Sequence, residues 1–196
     1  MAPMSSIDTG TPNGLCEEEQ ILLRQVAKNA VEYALQHGTP SIVDTTHYPH
    51  PLREPGASFV TLKKHGELRG CIGSLEAHRP LVEDVAHNAY AAAFRDPRFS
   101  PVTSQELPEL EFHLSVLTSA EPMQFESEKN LLEQIRPGID GLVLEDGSYR
   151  GTFLPAVWES LPDTVQFLQH LKLKAGLTKN HWSDTLKISR YTAESL

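Results

Sequence analysis

Two tight turns restrict the fold of this chain more than any other feature of its sequence. A His65-Gly66 turn separates two segments rich in apolar residues, and an Asp146-Gly147 turn separates two more. Glycine tolerates the positive φ angles that two-residue hairpin loops require. The segments that these turns join are residues 58–64, 67–73, 142–145 and 149–154. We therefore predict two antiparallel β-hairpins.

Helical segments separate the predicted strands along the chain. Apolar residues recur every three or four positions in residues 17–37 and 81–94, a spacing typical of helices that bury one face. Further helices are predicted at residues 126–135 and 163–175, and single strands at residues 110–117 and 186–191. Hairpins mixed with helices indicate an α+β fold with a mostly antiparallel sheet and flanking helices. The sequence contains neither a βαβ dinucleotide fingerprint nor a P-loop.

The length of 196 residues suits one domain with a substantial core. Residues 1–14 hold mainly Pro, Gly, Ser, Thr and Asn, which predicts a disordered tail. We expect residues 16–196 to form a single domain. Within it, prolines and glycines crowd residues 37–56, and this stretch is predicted to be a long loop.

Charge and composition narrow the classes of partner. The 26 acidic residues outnumber the 17 Lys and Arg residues, and the net charge of −9 disfavours nucleic-acid partners. The sequence has no apolar run long enough to span a membrane and no signal or transit peptide pattern, so we expect a cytoplasmic protein without a membrane partner. Cys16 and Cys71 are then expected to be free thiols, and no cysteine-based zinc motif is present.

The segment Arg69-Gly70-Cys71-Ile72-Gly73 is the strongest candidate for a functional site. If it is a regular strand, Arg69 and Cys71 share one face and Gly73 leaves space beside them, while Leu68 and Ile72 face the core with Gly70 between them. A guanidinium near a thiol favours the thiolate, and glycine lets a ligand approach closely. We predict a ligand-contacting, catalytic Cys71 with Arg69 as an anion clamp. The alternative is a buried Cys71 that packs as a small hydrophobic residue.

Three other side chains are candidates for the same site. His113 lies on the polar face of the predicted strand 110–117, and it would form a catalytic pair with Cys71 if the two strands are neighbours. Arg98 and Arg150 are candidate ligand-binding residues, each of which could equally have a structural role in its loop or hairpin. His47 and His50 are spaced too loosely to indicate a metal site, and none is predicted.

Six segments in this order resemble one family of proteins. They are Leu68 to Gly73, residues 91–99, Leu110 with residues 115–117, residues 138–141, residues 152–157 and residues 173–177. Together they resemble the AMMECR domain family, which includes AmmeMemoRadiSam system protein A. The resemblance covers roughly residues 17–192. It implies an α+β fold with a larger and a smaller lobe and the hallmark segment at the cleft between them.

The same resemblance suggests partners but no reaction. Prokaryotic members of the family are often encoded beside a Memo-like protein, which resembles non-haem iron dioxygenases, and a radical S-adenosylmethionine protein. The family has no established activity, and members often carry an acidic residue where this chain has His113. Two functions therefore stay open, and no cofactor is predicted for either. One is an enzyme or enzyme subunit that acts on a small anionic or modified substrate at Arg69 and Cys71, and the other is a non-catalytic binding or adaptor module.

Overall fold

The structure is a computed structural model that describes residues 14–196. The disordered tail predicted at residues 1–14 lies, apart from Gly14, outside the described residues. Within the described residues, the α-helices are α1 Glu17–His37, α2 His50–Arg53, α3 Leu81–Phe94, α4 Glu128–Gln134 and α5 Thr164–Lys174. The strands of the same residues are β1 Pro55–Lys64, β2 Glu67–Gly73, β3 Arg79–Pro80, β4 Leu110–Leu117, β5 Glu121–Pro122, β6 Gly141–Asp146, β7 Tyr149–Phe153, β8 Lys187–Tyr191 and β9 Ala193–Ser195. This is the predicted mixture of helices with antiparallel hairpins.

The described chain forms two compact units. The first contains the residues up to Leu117 together with Glu194–Leu196, and the second contains Thr118–Ala193. Each unit has a sheet and an apolar core of its own. None of the helices in the described part of the chain is long and apolar enough to cross a membrane.

In the first unit the strand order is β2-β1-β4-β9, and β3 also pairs with β1. Helices α1 and α3 pack together, and α3 lies on β1 and β2. The side chains of Val60, Leu62 and Leu114 point to this helical side and are completely buried or nearly so. Because side chains alternate along a strand, residues between them project from the opposite, outer face of the sheet. The candidate site lies on that outer face.

The second unit has the strand order β5-β8-β6-β7, with antiparallel pairs throughout. Helix α5 packs on β7. Asp163 caps α5 as predicted, because its carboxylate accepts a hydrogen bond from the Gln166 N–H. The core around Phe167 includes a parallel stack with Trp158, whose ring centroid is 3.7 Å away.

Both predicted hairpins are present. His65 and Gly66 have φ angles of 52° and 80°, which are the positive values expected in a two-residue turn. In the second hairpin the strand includes Asp146, so the turn lies one residue later than predicted, with Gly147 at a φ of 60°. The long loop predicted for residues 37–56 is wrong in part. It contains a 3-10 turn at Thr45–His47 and the short helix α2, and β1 already begins at Pro55.

Candidate functional site

Cys71 projects from the outer face of the first sheet and not into the core. In the β1–β2 pair it lies directly opposite Thr61, and in the β1–β4 pair Thr61 lies directly opposite His113. Residues that face each other across antiparallel strands share one face of the sheet. A row of three side chains, Cys71, Thr61 and His113, therefore crosses the outer face, and the alternative of a Cys71 packed in the core is wrong.

The Thr61 hydroxyl contacts the Cys71 sulfur. Thr61 Oγ1 donates a hydrogen bond to Cys71 Sγ over 3.2 Å. The backbone N–H and C=O of Cys71 point away from β1, which makes this a non-hydrogen-bonded pair, the kind in which facing side chains approach most closely. Cys71 is a free cysteine and is half-buried.

The backbone of Cys71 is held from its other side by two side chains. Strand β2 is an edge strand, so the outward N–H and C=O of Cys71 have no partner strand. Asp96 Oδ2 accepts a hydrogen bond from the Cys71 N–H over 2.9 Å, and Arg98 Nη2 donates one to the Cys71 carbonyl over 3.3 Å. The Asp96-Pro97-Arg98 turn thus takes the place of a neighbouring strand and fixes the peptide that carries the thiol.

Asp96 and Arg98 form a closely coupled pair. The Asp96 carboxylate is buried and accepts hydrogen bonds from Arg98 Nη2 at 2.7 Å and from Arg98 Nε at 2.9 Å. The Arg98 guanidinium, followed by the backbone N–H groups of Cys71 and Arg98, holds the pKa of Asp96 well below its usual range. The carboxylate is therefore ionised throughout the physiological pH range. Arg98 itself remains 54% exposed, so part of its guanidinium faces solvent.

Arg69 does not share the face of Cys71 as a free anion clamp. The register between β1 and β2 passes from Leu62 opposite Gly70 to Lys63 opposite Leu68, so Arg69 is the additional residue of a β-bulge. Its side chain is only 13% exposed, and its Nε and Nη2 atoms donate to the Glu106 carboxylate over 2.9 and 3.2 Å. Its buried Nη1 atom has no hydrogen-bond partner within residues 14–196. The prediction of Arg69 and Cys71 on one open face is wrong because the bulge turns Arg69 toward the loop after α3.

Glu106 organises that loop around Arg69. Its carboxylate also accepts hydrogen bonds from the Thr103 N–H and hydroxyl over 3.0 and 3.1 Å. The hydrogen bond from Arg69 is the main reason that the pKa of Glu106 falls to about 2. The Phe99 ring centroid lies 6.0 Å from Arg69 Cζ and 5.5 Å from Arg98 Cζ. Both arginines therefore brace the same loop against the hallmark strand.

The glycines beside Cys71 do not leave open space. A Cβ atom on Gly70 would lie 2.1 Å from the carbonyl oxygen of Ala92 in α3, and one on Gly73 would lie 2.2 Å from the Phe59 ring. Gly70 therefore lets α3 approach the sheet, and Gly73 lets the facing Phe59 ring lie across β2. The ligand-binding role predicted for Gly70 and Gly73 assumed a gap that atoms of the protein occupy.

The bulge also reverses the side of Leu68. Leu68 lies opposite Lys63, whose neighbour Leu62 is buried, so Leu68 projects from the outer face with Lys63. It is 41% exposed, whereas the prediction placed it in the core. Ile72, beyond the bulge, does pack against the first core as predicted.

His113 is farther from Cys71 than a direct Cys-His pair requires. Strand β1 lies between β2 and β4, so His113 is two strands away from Cys71, roughly 10 Å between backbones. The condition for a direct Cys71–His113 pair, that their strands are neighbours, is not met, although His113 does lie in the same row, where its Nε2 atom is 3.5 Å from Glu111. Arg150 belongs to the second unit and lies 3.3 Å from Glu145. In residues 14–196, no three or more His, Cys, Asp or Glu side chains are grouped so as to hold a metal ion.

The family model described as AMMECR1 matches residues 24–196. This is most of the chain. The chain belongs to the AMMECR1 family.

Several AMMECR1-family relatives resemble the chain over most of its length. A protein of Thermofilum pendens is 40% identical over 92% of this chain and 90% of its own. One of Methanothermobacter thermautotrophicus is 37% identical over 92% of this chain and 94% of its own. A crystal structure of an uncharacterized protein from Pyrococcus horikoshii superposes with a TM-score of 0.80 at 34% identity, covering 92% of each chain. The fold and the family are thereby established, and no reaction comes with them.

Sequence reasoning missed the residues that hold the AMMECR1 hallmark segment in place. Thr61 carried no signal except its position in a predicted strand, while Asp96 and Glu106 lie 25 and 37 residues from the groups they bind.

The structure also places a buried polar cluster directly after β2. There the Asp84 carboxylate accepts hydrogen bonds from the Ser58 N–H and hydroxyl, from Ser74 Oγ and from Asn88 Nδ2. The spacing of four between two polar residues on the buried face of α3 was the available signal for this cluster.

Proposed function

We propose that this AMMECR1-family protein is a cytosolic enzyme, or a subunit of one, in which Cys71 acts as a nucleophile on a small substrate at the outer face of the first sheet. The observation that carries the proposal is the hydrogen bond from Thr61 Oγ1 to Cys71 Sγ at 3.2 Å. A hydroxyl aimed at sulfur stabilises the thiolate, which is the reactive form. A reducing cytosol would keep that thiol available.

The held backbone supports the same proposal. Asp96 and Arg98 bind the N–H and C=O of Cys71, so the sulfur has a fixed position relative to the sheet. Catalytic groups are most effective when their own supports hold them in one geometry. These contacts go to the backbone, and what they add here is a fixed position for the thiol that the backbone carries.

The chemistry that suits this arrangement is attack on an electrophilic carbon. In an acyl transfer, the Cys71 thiolate forms a thioester bond while the bond from the acyl carbon to its leaving group breaks and the leaving group departs with the electron pair. Water then attacks the thioester, which releases the acid and returns the thiol. His113 is too far along the row to contact the thiol directly, and its proposed role is toward the bound substrate or the attacking water.

The proposal of an anionic substrate rests on Arg98. Arg69 is paired with Glu106 and largely enclosed, so it is no longer the residue we propose for an anionic group. Arg98 is paired with Asp96 on one side and is 54% exposed. We therefore propose that Arg98 contacts an anionic substrate group, and that Asp96 limits how strongly it does so.

Alkylation of the two cysteines tests the nucleophile. The protein is treated with iodoacetamide near pH 7.5, and the labelling of Cys71 and Cys16 is followed by peptide mass spectrometry, with Cys71→Ser as the control for site assignment. Cys16 is the more exposed of the two, so exposure alone predicts that it reacts first. We expect Cys71 to react faster. A Cys71 that stays unlabelled while Cys16 is fully modified would refute the nucleophile.

A charged reagent tests the substrate class in the same assay. Iodoacetate and iodoacetamide differ by one negative charge at nearly equal size. Relative to N-acetylcysteinamide in solution, we expect Cys71 to favour iodoacetate by about twofold to fivefold, since an exposed cation contributes at most about 1 kcal/mol. A preference for iodoacetamide would refute the anionic substrate and leave the nucleophile intact.

A second candidate is a non-catalytic adaptor that binds Memo-like and radical S-adenosylmethionine proteins. The observation that favours it is that both arginines near the hallmark are engaged by carboxylates of their own chain. The exposed outer-face residues Glu111 and His113 would then be docking contacts. In this case Glu111→Gln and His113→Gln would weaken a complex with those partners, measured by analytical ultracentrifugation, without changing Cys71 alkylation. The enzyme proposal expects Cys71→Ser to leave any such complex intact.

A further inference from the structure

The second unit contains a cavity, whereas Cys71 belongs to the first unit. Its volume is about 560 Å³, which is within the range of small-molecule sites. The segment from Pro122, the last residue of β5, to Glu126 forms one wall. The loop Trp182–Asp184, the residues from Leu186 to Ser189 and Glu145 form the rest. All of these residues belong to the second unit.

The floor and one wall of the cavity are apolar and aromatic. Met123, Leu186 and Ile188 are buried members of the second core and line the cavity floor. Phe125 and Trp182 are half-buried, with their ring centroids 5.6 Å apart and their planes at 60°. Aromatic faces carry a partial negative charge, which attracts cations as well as apolar groups. The cavity therefore offers a surface for the apolar body of a ligand and for a positive charge.

The Trp182 ring already has one cation as a neighbour. Lys172 Nζ lies 5.6 Å from the ring centroid, is completely buried, and is paired with Glu128 at 3.0 Å. Because Glu128 balances the charge of Lys172, this ammonium group does not make the wall strongly repulsive to a second cation.

Two carboxylates flank the aromatic wall without an ion-pair partner. Glu126 and Asp184 line the cavity, and neither takes part in an ion pair among the residues that the structure describes. Glu145 also lines it but is 3.3 Å from Arg150. Lys187 is the one cationic side chain that lines the cavity. The lining thus carries more negative than positive charge, next to aromatic rings.

We infer that this cavity binds a small organic cation, an amine or quaternary ammonium compound with an aromatic or branched apolar body. The apolar part would lie on the floor, and the positive group would lie between Trp182 and the carboxylates of Glu126 and Asp184. A neutral ligand would gain only the apolar contacts, and an anion would meet the two carboxylates. The inference does not depend on the role of Cys71.

Three probes of similar shape test the charge requirement. Phenethylamine, 2-phenylethanol and 3-phenylpropionate are cationic, neutral and anionic near pH 7. Binding is measured by titration with detection of backbone amide shifts by NMR. A cation-π contact and an exposed ion pair are each worth up to about fivefold in affinity, so we expect phenethylamine to bind about tenfold more tightly than 2-phenylethanol. The anion is expected to show no saturable shifts, and the shifts of the amine should map to the cavity residues.

A charge-removing variant and a matched control complete the test. Glu126→Gln with Asp184→Asn should reduce the affinity for phenethylamine by about fivefold and leave that for 2-phenylethanol unchanged. Both positions are exposed, so the variant is expected to fold, which its thermal unfolding checks. Glu133→Gln removes one exposed carboxylate of the same unit that does not line the cavity, and it should have no effect. Equal binding of the amine and the alcohol, or an equal effect of the control, would overturn the inference.

Discussion

At the scale of single residues, the space beside Cys71 is shaped by contacts across the sheet. The Phe59 ring covers the position where Gly73 has no side chain, and the carbonyl of Ala92 lies against Gly70. Glycine in a strand can serve a ligand or a neighbouring group of the protein equally well. Here both glycines make room for other atoms of the protein. The group that contacts the Cys71 sulfur is the Thr61 hydroxyl.

A double-mutant cycle tests the contact between Gly73 and Phe59. Gly73→Ala should lower the free energy of unfolding by about 1–3 kcal/mol, since the added methyl group meets the ring. In a Phe59→Ala background the same change should cost at least about 1 kcal/mol less, because the ring is gone. Urea unfolding of the four proteins measures both values. Additive effects would contradict the contact.

The β-bulge makes a second prediction at the residue scale. Leu68→Ala should lower the free energy of unfolding by less than about 1 kcal/mol, because the bulge places Leu68 on the outer face where it is 41% exposed. Leu62→Ala, on the core face of β1, should cost about 2–5 kcal/mol. A cost for Leu68→Ala similar to that of Leu62→Ala, again by urea unfolding, would mean that β2 is regular and has no bulge.

At the scale of elements, the loop after α3 is joined to the edge strand by one ion pair and two backbone hydrogen bonds. Glu106 pairs with Arg69 at the bulge, and Asp96 and Arg98, themselves paired, bind the N–H and C=O of Cys71. Alternation in the sequence located β2 and showed that Cys71 and Thr61 are strand residues. It could not locate the bulge, whose additional residue Arg69 pairs with a residue 37 positions away, because local periodicity contains no information on such contacts.

The Arg69–Glu106 pair predicts how stability depends on pH. The pKa of Glu106 falls from 4.5 to about 2 on folding, so the folded state favours the ionised form. A lowered carboxyl pKa adds stability that is complete above about pH 4.5 and is lost as the pH falls toward 2. At 18% exposure of Glu106, we expect this contribution to be about 2 kcal/mol near pH 6.

Comparison with Glu106→Gln measures that contribution. The difference in unfolding free energy between the wild type and this variant should be largest near pH 6 and should shrink as the pH is lowered to about 2.5. Glu133→Gln, an exposed position in the second unit, is the control and should show a small and constant difference. A difference for Glu106→Gln that does not change with pH would contradict the ion pair.

At the scale of the whole molecule, the sequence predicted more of the fold than of the site. The two hairpins and the helices α1, α3 and α5 follow from turn residues, periodicity and caps, all of which are local signals. The division into two units with separate cores did not follow from local signals, since it depends on which helix faces which sheet; only the family resemblance implied two lobes. A pair between Cys71 and His113 was predicted only on the condition that their strands are neighbours, because strand order is a long-range property; β1 lies between them.

The net charge of −9 makes a prediction for the whole molecule as well. An acidic surface repels the phosphate backbone, so binding to an arbitrary DNA duplex should be weaker than the range of about 10⁻⁴ to 10⁻⁶ M that is typical of nonspecific binding. Fluorescence anisotropy with a labelled duplex at about 50 and 200 mM salt measures this. Affinity in the micromolar range that falls steeply with salt would contradict it.

The measurement that tests the central claim most directly compares Cys71 alkylation in the wild type, Thr61→Ser and Thr61→Val. The claim is that the Thr61 hydroxyl supports the thiolate of Cys71. Loss of a hydrogen bond of about 1 kcal/mol changes a rate by roughly fivefold at most, and only part of that is expected to reach the alkylation step. We predict that Thr61→Val slows iodoacetamide labelling of Cys71 by about twofold to threefold at pH 7.5, while Thr61→Ser retains the wild-type rate and Cys16 is unaffected. Equal Cys71 rates in all three proteins would contradict the claim.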